Sequence, residues 1–317
     1  MDSAIEERLE GLPADICETI RPFYPAYESA CQKAGEAKDQ VIARMACFLD
    51  RVQELIKDPF VFAPYHKKVR MPFDYHRFGL DFVRPLVVKQ KSKVLGSENL
   101  TRALLQMQQG DNVIFFANHQ TEPDPQAMSI LLEDAYPKLA EEIIFVAGHR
   151  VTTDPLAVPL SIGCDLLCIH SKRYASKEHI EQNRKTILAL EKLLQEGGKC
   201  IYVAPSGGRD RKGEDGKVMP APFDPQSIAL FCLFAKKAKV HFYPLALNTF
   251  SLLPPPNQIN RDLGEPRLPK ATPIGLNLGE EIDIENATFP QLTKEKMREK
   301  RAHAIWETVV LLYRELV

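Results

Sequence analysis

Val113-Ile-Phe-Phe-Ala-Asn-His119-Gln-Thr-Glu-Pro-Asp124-Pro125 is the stretch whose reading decides the fold. Its first residues, Val113 to Ala117, are continuously apolar and rich in β-branched and aromatic types. That is the composition of a strand buried on both faces. The run stops abruptly at Asn118-His119. Asp124-Pro125 follows, and Asp before Pro is an N-terminal helix signal. A base and a carboxylate therefore share one short loop between a strand end and a helix start.

The same rhythm recurs outward from this stretch. Strands are predicted at 112–117, 143–147, 166–170, 199–204 and 240–247, and helices at 125–139, 155–161, 177–196 and 226–238. Such alternation predicts an α/β fold, a mixed and largely parallel sheet flanked by helices. Ligands in these sheets gather at the carboxyl ends of strands. His119 follows the first strand, Arg150 the second, Arg173 the third and Arg209 the fourth. Residues 1–57 read as helical, with Val41, Met45, Phe48, Leu49 and Val52 on one stripe, and with Pro13, Pro22 and Pro25 punctuating the first part. Residues 59–95, rich in proline, aromatics and base, read as a linker. Residues 251–292 are irregular, and a closing helix is predicted over 293–316. The expected domains are 1–84, helical with its linker, and 85–317, α/β.

Composition narrows the function. Across 317 residues the net charge is −1, so no global basic field points to nucleic acid. No apolar run approaches the ~20 residues that cross a bilayer, and the first residues lack a secretory pattern. A soluble or peripheral protein is expected. The seven cysteines are scattered with no Cys-x-x-Cys pair, which reads as free thiols in a reducing compartment.

Three strand ends carry the candidate chemistry. A neutral imidazole takes a proton from a hydroxyl near pH 7, and a carboxylate on its other ring nitrogen steadies the imidazolium. His119 and Asp124 have the spacing for this if the loop folds back. Asp-Pro also occurs at 58–59, 154–155 and 224–225, so capping alone also explains Asp124. In Pro205-Ser206-Gly207-Gly208-Arg209-Asp210-Arg211 the glycines let backbone N–H groups converge on an anion, and the arginines add forked donors. A Gly-Gly turn with solvated charges is the alternative. His170-Ser171-Lys172-Arg173-Tyr174 again runs a strand into base. Lys89, Lys91 and Lys93 protect a sheet edge or form a patch for an acidic partner.

Asn118-His119-x4-Asp124, Phe145-Val-Ala-Gly-x-Arg150-Val, Thr153-Asp-Pro-Leu156, Pro205-Ser-Gly-Gly-Arg-Asp-Arg211 and Tyr243-Pro-Leu-Ala-Leu247 occur in this order. Together they resemble the blocks of the soluble, plastid-type glycerol-3-phosphate 1-O-acyltransferases, within the wider His-x4-Asp acyltransferase superfamily. The resemblance implies transfer of a fatty acyl group from an acyl carrier protein or coenzyme A thioester to the 1-hydroxyl of glycerol 3-phosphate. It implies His119 as general base with Asp124 as its partner. It places the substrate phosphate on Arg209, Arg211 and Arg173, with Tyr174 standing where the family has histidine. Lys172, Ser206, Gly207 and Arg150 are supporting candidates. No metal or cofactor is implied. The carrier protein of such pathways is acidic, which makes Lys89–Lys93 or Lys67-Lys68-Arg70 its expected contact.

Three other readings remain open at this point. They are a lysophosphatidate or other lipid acceptor, a non-catalytic phospho-ligand or carrier-protein module, and a hydrolase using Ser206. A bacterial cytoplasm is the expected compartment, with a plastid stroma as the alternative.

Overall fold

The computed structural model describes residues 2–170, 176–255, 267–284 and 293–317. Three helices lead: α1 (Ser3–Leu9), α2 (Ala14–Lys33) and α3 (Lys38–Lys57). Pro22 and Pro25 lie inside α2 and do not end it. Each internal proline costs the helix about 3 kcal/mol. Against that, α2 buries Ile16, Ile20, Tyr24, Tyr27 and Cys31, and an apolar side chain is worth roughly 1.5–3 kcal/mol when buried. The apolar face outweighs the two lost hydrogen bonds.

The segment expected as a linker carries β1 (Tyr65–His66), α4 (Tyr75–Val83) and β2 (Lys93–Leu95). Then come α5 (Ser97–Gln108), β3 (Asn112–Ala117), α6 (Asp124–Leu132), α7 (Pro137–Glu142), β4 (Ile143–Gly148), α8 (His149–Thr153), α9 (Val158–Ser161) and β5 (Asp165–Ile169). The chain continues with α10 (Lys177–Glu196), β6 (Cys200–Val203), a small hairpin of β7 (Arg211–Lys212) and β8 (Val218–Met219), α11 (Pro225–Phe234), β9 (Val240–Asn248), β10 (Gly275–Leu278) and α12 (Lys294–Arg314). The helix predicted over 125–139 is two helices, because Pro137 starts α7 and cannot continue α6.

Eight strands form one sheet in the order β1-β5-β4-β6-β3-β9-β10-β2. The five inner strands β5, β4, β6, β3 and β9 run parallel, β1 is antiparallel to β5, and β10 is antiparallel to β9 but parallel to β2. β3 lies at the centre, and its side chains alternate between two cores. Val113, Phe115 and Ala117 face the core shared with α1–α7. Ile114 and Phe116 face the core under α10, α11 and α12. The sheet edge closes tightly at Gly96, where φ is +74° and a Cβ would lie 2.0 Å from the Leu278 carbonyl oxygen.

Candidate active site

The strand order explains which loops meet. β6, β3 and β9 are neighbours, so the loops leaving their carboxyl ends converge. These loops carry Arg209, His119 and Thr249. Arg150 leaves β4, one strand further along the sheet.

Asp124 is not the helix cap its Asp-Pro context predicts. It is the first residue of α6, and its carboxylate reaches back into the preceding loop. Oδ2 accepts from His119 Nδ1 at 2.8 Å and from the Gln120 N–H at 2.8 Å. Oδ1 accepts from the Thr121 N–H at 3.2 Å, the Thr121 hydroxyl at 2.9 Å and the Thr249 hydroxyl at 2.5 Å. Of the other Asp-Pro pairs, only Asp224 caps a helix, through the Gln226 and Ser227 N–H groups. Asp154 folds a turn onto the Leu156 N–H, and Asp58 ends α3.

The electrostatics follow from this geometry. Burial alone pushes an imidazole down, but the Asp124 carboxylate on Nδ1 wins and holds His119 above its ordinary value. Burial pushes the Asp124 carboxyl up, yet the His119 bond and the hydroxyl and amide donors hold it below the usual carboxylate range. With Nδ1–H given to Asp124, the lone pair of His119 sits on Nε2. The His119 side chain is 27% exposed and that of Asp124 2%, so the base is reachable while its partner is shielded.

Glu122, inside the same loop, joins two arginines. Its Oε1 accepts from Arg209 Nη1. Arg267 forks the same carboxylate, with Nη1 on Oε2 at 2.5 Å and Nη2 on Oε1 at 2.6 Å. One carboxylate between two guanidiniums ties both arginines to the corner next to the base. Arg211 opens β7 and is half-buried. Gly207 takes φ +65°, and the Ser206 hydroxyl donates to the Gly208 carbonyl at 2.9 Å, which turns the loop toward Arg209. Lys172, Arg173 and Tyr174 lie outside the described residues.

An apolar cavity of about 120 Å³ opens beside this corner. Its lining includes Glu122, Pro123, Arg267 and Arg150. Ile20, Phe23, Phe48, Phe82 and Val83, from α2, α3 and α4, also line it, as do Leu156 and Leu160. Arg150 thus stands on the cavity wall. Of the six cations expected to meet a carrier protein, Lys68, Arg70 and Lys89 are paired with carboxylates of the chain itself. Lys68 lies 3.2 Å from Glu141 and 3.5 Å from Asp165, and Lys89 lies 2.7 Å from Asp134. Arg70 pairs with Glu141 as well.

Sequence reasoning missed Glu122, Arg267 and Thr249. Glu122 sits within the quoted stretch, and its charge was the available signal. Thr249 and Arg267 have none, because they reach the site only through the pairing of β9 with β3 and the return of the chain after it.

The family model described as Acyltransferase matches residues 91–248. A chloroplastic glycerol-3-phosphate acyltransferase of Cucurbita moschata is 36% identical over 99% of this chain and 71% of the relative. The chloroplastic enzyme of the same name from Pisum sativum is 36% identical over 98% of this chain and 71% of its own length. That of Arabidopsis thaliana is 34% identical over 97% and 70% respectively.

Proposed function

This chain belongs to the glycerol-3-phosphate acyltransferase family, and we propose that it moves a fatty acyl group from a thioester donor to the 1-hydroxyl of glycerol 3-phosphate. The observation that carries the reading is the 2.8 Å bond from His119 Nδ1 to a shielded Asp124, beside Arg209 and an apolar cavity.

In this reading the substrate phosphate sits against Arg209 and Arg211, which directs the 1-hydroxyl toward His119 Nε2. His119 takes the hydroxyl proton as the oxygen attacks the thioester carbonyl. The new C–O bond forms and a tetrahedral intermediate follows. The C–S bond then breaks, and the proton on His119 passes to the departing sulfur. Asp124 keeps the ring oriented and steadies the imidazolium in between. The acyl chain lies in the cavity between α2–α4 and α9. Proximity of hydroxyl and thioester supplies much of the rate, because a bimolecular encounter becomes a positioned one.

The thioester donor in this scheme is acyl carrier protein or coenzyme A. No helix among the described residues is long and apolar enough to cross a membrane. The relatives named chloroplastic support a plastid stroma over a bacterial cytoplasm, and fractionation of the source cells separates the two.

The test is direct. Purified protein is given labelled glycerol 3-phosphate with each thioester in parallel, and the product is identified by mass spectrometry. The expected product is 1-acyl-glycerol 3-phosphate, lost in His119→Ala while glycerol 3-phosphate still binds. Undiminished transfer by that variant rejects His119 as the base. Release of free fatty acid in place of the ester rejects the transferase reading.

A further inference from the structure

Asp210 stands between Arg209 and Arg211 in the chain, and the scheme above gives it no work. It is fully buried. Oδ2 accepts from Asn118 Nδ2 at 2.7 Å and from Gln120 Nε2 at 3.1 Å. Oδ1 accepts from the Ala221 N–H at 2.8 Å. Its own N–H donates to the His119 carbonyl at 2.7 Å. One residue thus holds both chain neighbours of the base by side chain, and the base itself by backbone.

The orientation of those partners is fixed from the far side. Asn118 Oδ1 accepts from the Leu247 N–H at 2.7 Å, and Gln120 Oε1 accepts from the N–H groups of Thr249 at 2.6 Å and Phe250 at 2.8 Å. Both amide oxygens are therefore committed to the end of β9, and both NH2 groups must face Asp210. Every group pointing at the Asp210 side chain is a donor. An ionised carboxylate answers all three, whereas a protonated one turns an O–H toward donors.

We propose that Asp210 is a positioning residue for the transfer reaction, locking the His119 loop and the Arg209–Arg211 loop in one register so that base and phosphate site face the same substrate. This rests on the function proposed above. The lock holds only while Asp210 is ionised. Burial, opposed by the Asn118, Ala221 and Gln120 bonds and by His119, pushes its carboxyl up to about 6. Ionisable groups that act on it include His119, Tyr202 of β6 and Tyr313 of α12, with Arg209 and Arg211 as its chain neighbours. Burial pushes both phenols above their ordinary value, so they stay neutral across the working range.

Two protons then switch off the enzyme on the acid side, one on His119 and one on Asp210. The wild-type pH profile of kcat/KM is expected to fall with a slope near two below pH about 6. Asp210→Asn places an NH2 group against donors, and kcat/KM is expected to drop roughly 10- to 100-fold. Its acid limb should keep a slope of one, from His119 alone, and both kcat and KM for glycerol 3-phosphate should move. A wild-type slope of one throughout overturns the proposal and needs no variant to fold. So does a folded Asp210→Asn enzyme with unchanged kcat/KM. If His119→Ala is inactive while either of those results holds, the positioning role fails and the acyl-transfer reading stands. If His119→Ala keeps full activity, the proposed mechanism fails first.

Discussion

Replacing Asp124 by Asn is the most informative single change in the site. Asn would serve as well as Asp if the residue only capped a helix. The carboxylate instead accepts from His119, the Gln120 and Thr121 N–H groups, and the Thr121 and Thr249 hydroxyls. The amide has one oxygen for these donors. Kept on the threonine side, that oxygen leaves NH2 facing His119 Nδ1 and the Gln120 N–H. The imidazole can answer only by becoming an acceptor at Nδ1, which moves its proton to Nε2. The base is then spent before substrate arrives. In an analogous carboxylate–imidazole pair of another enzyme the same exchange costs about 10⁴ in kcat. At ~1.36 kcal/mol per decade that is about 5.4 kcal/mol of lost transition-state stabilisation. Separately, the Gln120 N–H loses a charged acceptor in a buried place, worth about 1–3 kcal/mol of folding stability. Steady-state transfer of labelled glycerol 3-phosphate and urea unfolding measure the two. Turnover within tenfold of wild type in the folded variant would refute the reasoning.

Other outcomes follow from the same geometry. Arg209→Ala should raise KM for glycerol 3-phosphate by roughly 10- to 150-fold, the worth of about 1.5–3 kcal/mol of charge-assisted bonding, with a smaller change in kcat; an unchanged KM removes Arg209 from the phosphate site. Because His119 is held above its ordinary 6.5, its protonated form persists to higher pH, and its own ionisation in the acid limb of kcat/KM should be centred above 6.5; a centre at or below that value contradicts the Asp124 bond. Ala157→Phe puts a ring into the cavity, and displacing four methylenes at ~0.8 kcal/mol each should cut kcat/KM for long acyl donors roughly 200-fold while sparing butanoyl donors; equal losses for both would place the acyl chain elsewhere. Asp111 lies between Lys239 at 2.8 Å and His241 at 3.0 Å, and these partners hold its carboxyl below the usual range. A depressed folded value stabilises above the ordinary carboxylate range and is lost as pH falls through it, so Asp111→Asn should narrow the gap between urea midpoints at pH 7 and pH 3. A gap as wide as wild type's removes that contribution.

The inner strands were legible because each is a compact apolar run between turn residues, a signal local to the chain. α10 was legible end to end, since its stripe is uninterrupted. β1, β2 and β10 were not. They are two, three and four residues long, and their pairing partners lie far away in sequence. The meeting of His119 and Asp124 was readable from their spacing. The mistaken cap at Asp124 has the same origin as these misses: Asp-Pro is a local cue, whereas Thr249, which claims one of its oxygens, stands 125 positions away.

The two prolines of α2 bear on the cavity in a further way. Pro22 and Pro25 have no N–H, so the helical rungs they would make to Glu18 and Arg21 are missing. The Thr19 hydroxyl adds its own bond to the Asp15 carbonyl at 3.1 Å in the turn before. Thr19, Ile20 and Phe23 line the cavity on this stretch of helix. Its neighbours in the wall, α3 and α4, contain no proline. A helix short of two rungs bends at lower cost than an intact one. The cavity therefore has one wall with two backbone rungs missing, set against walls built from helices without proline.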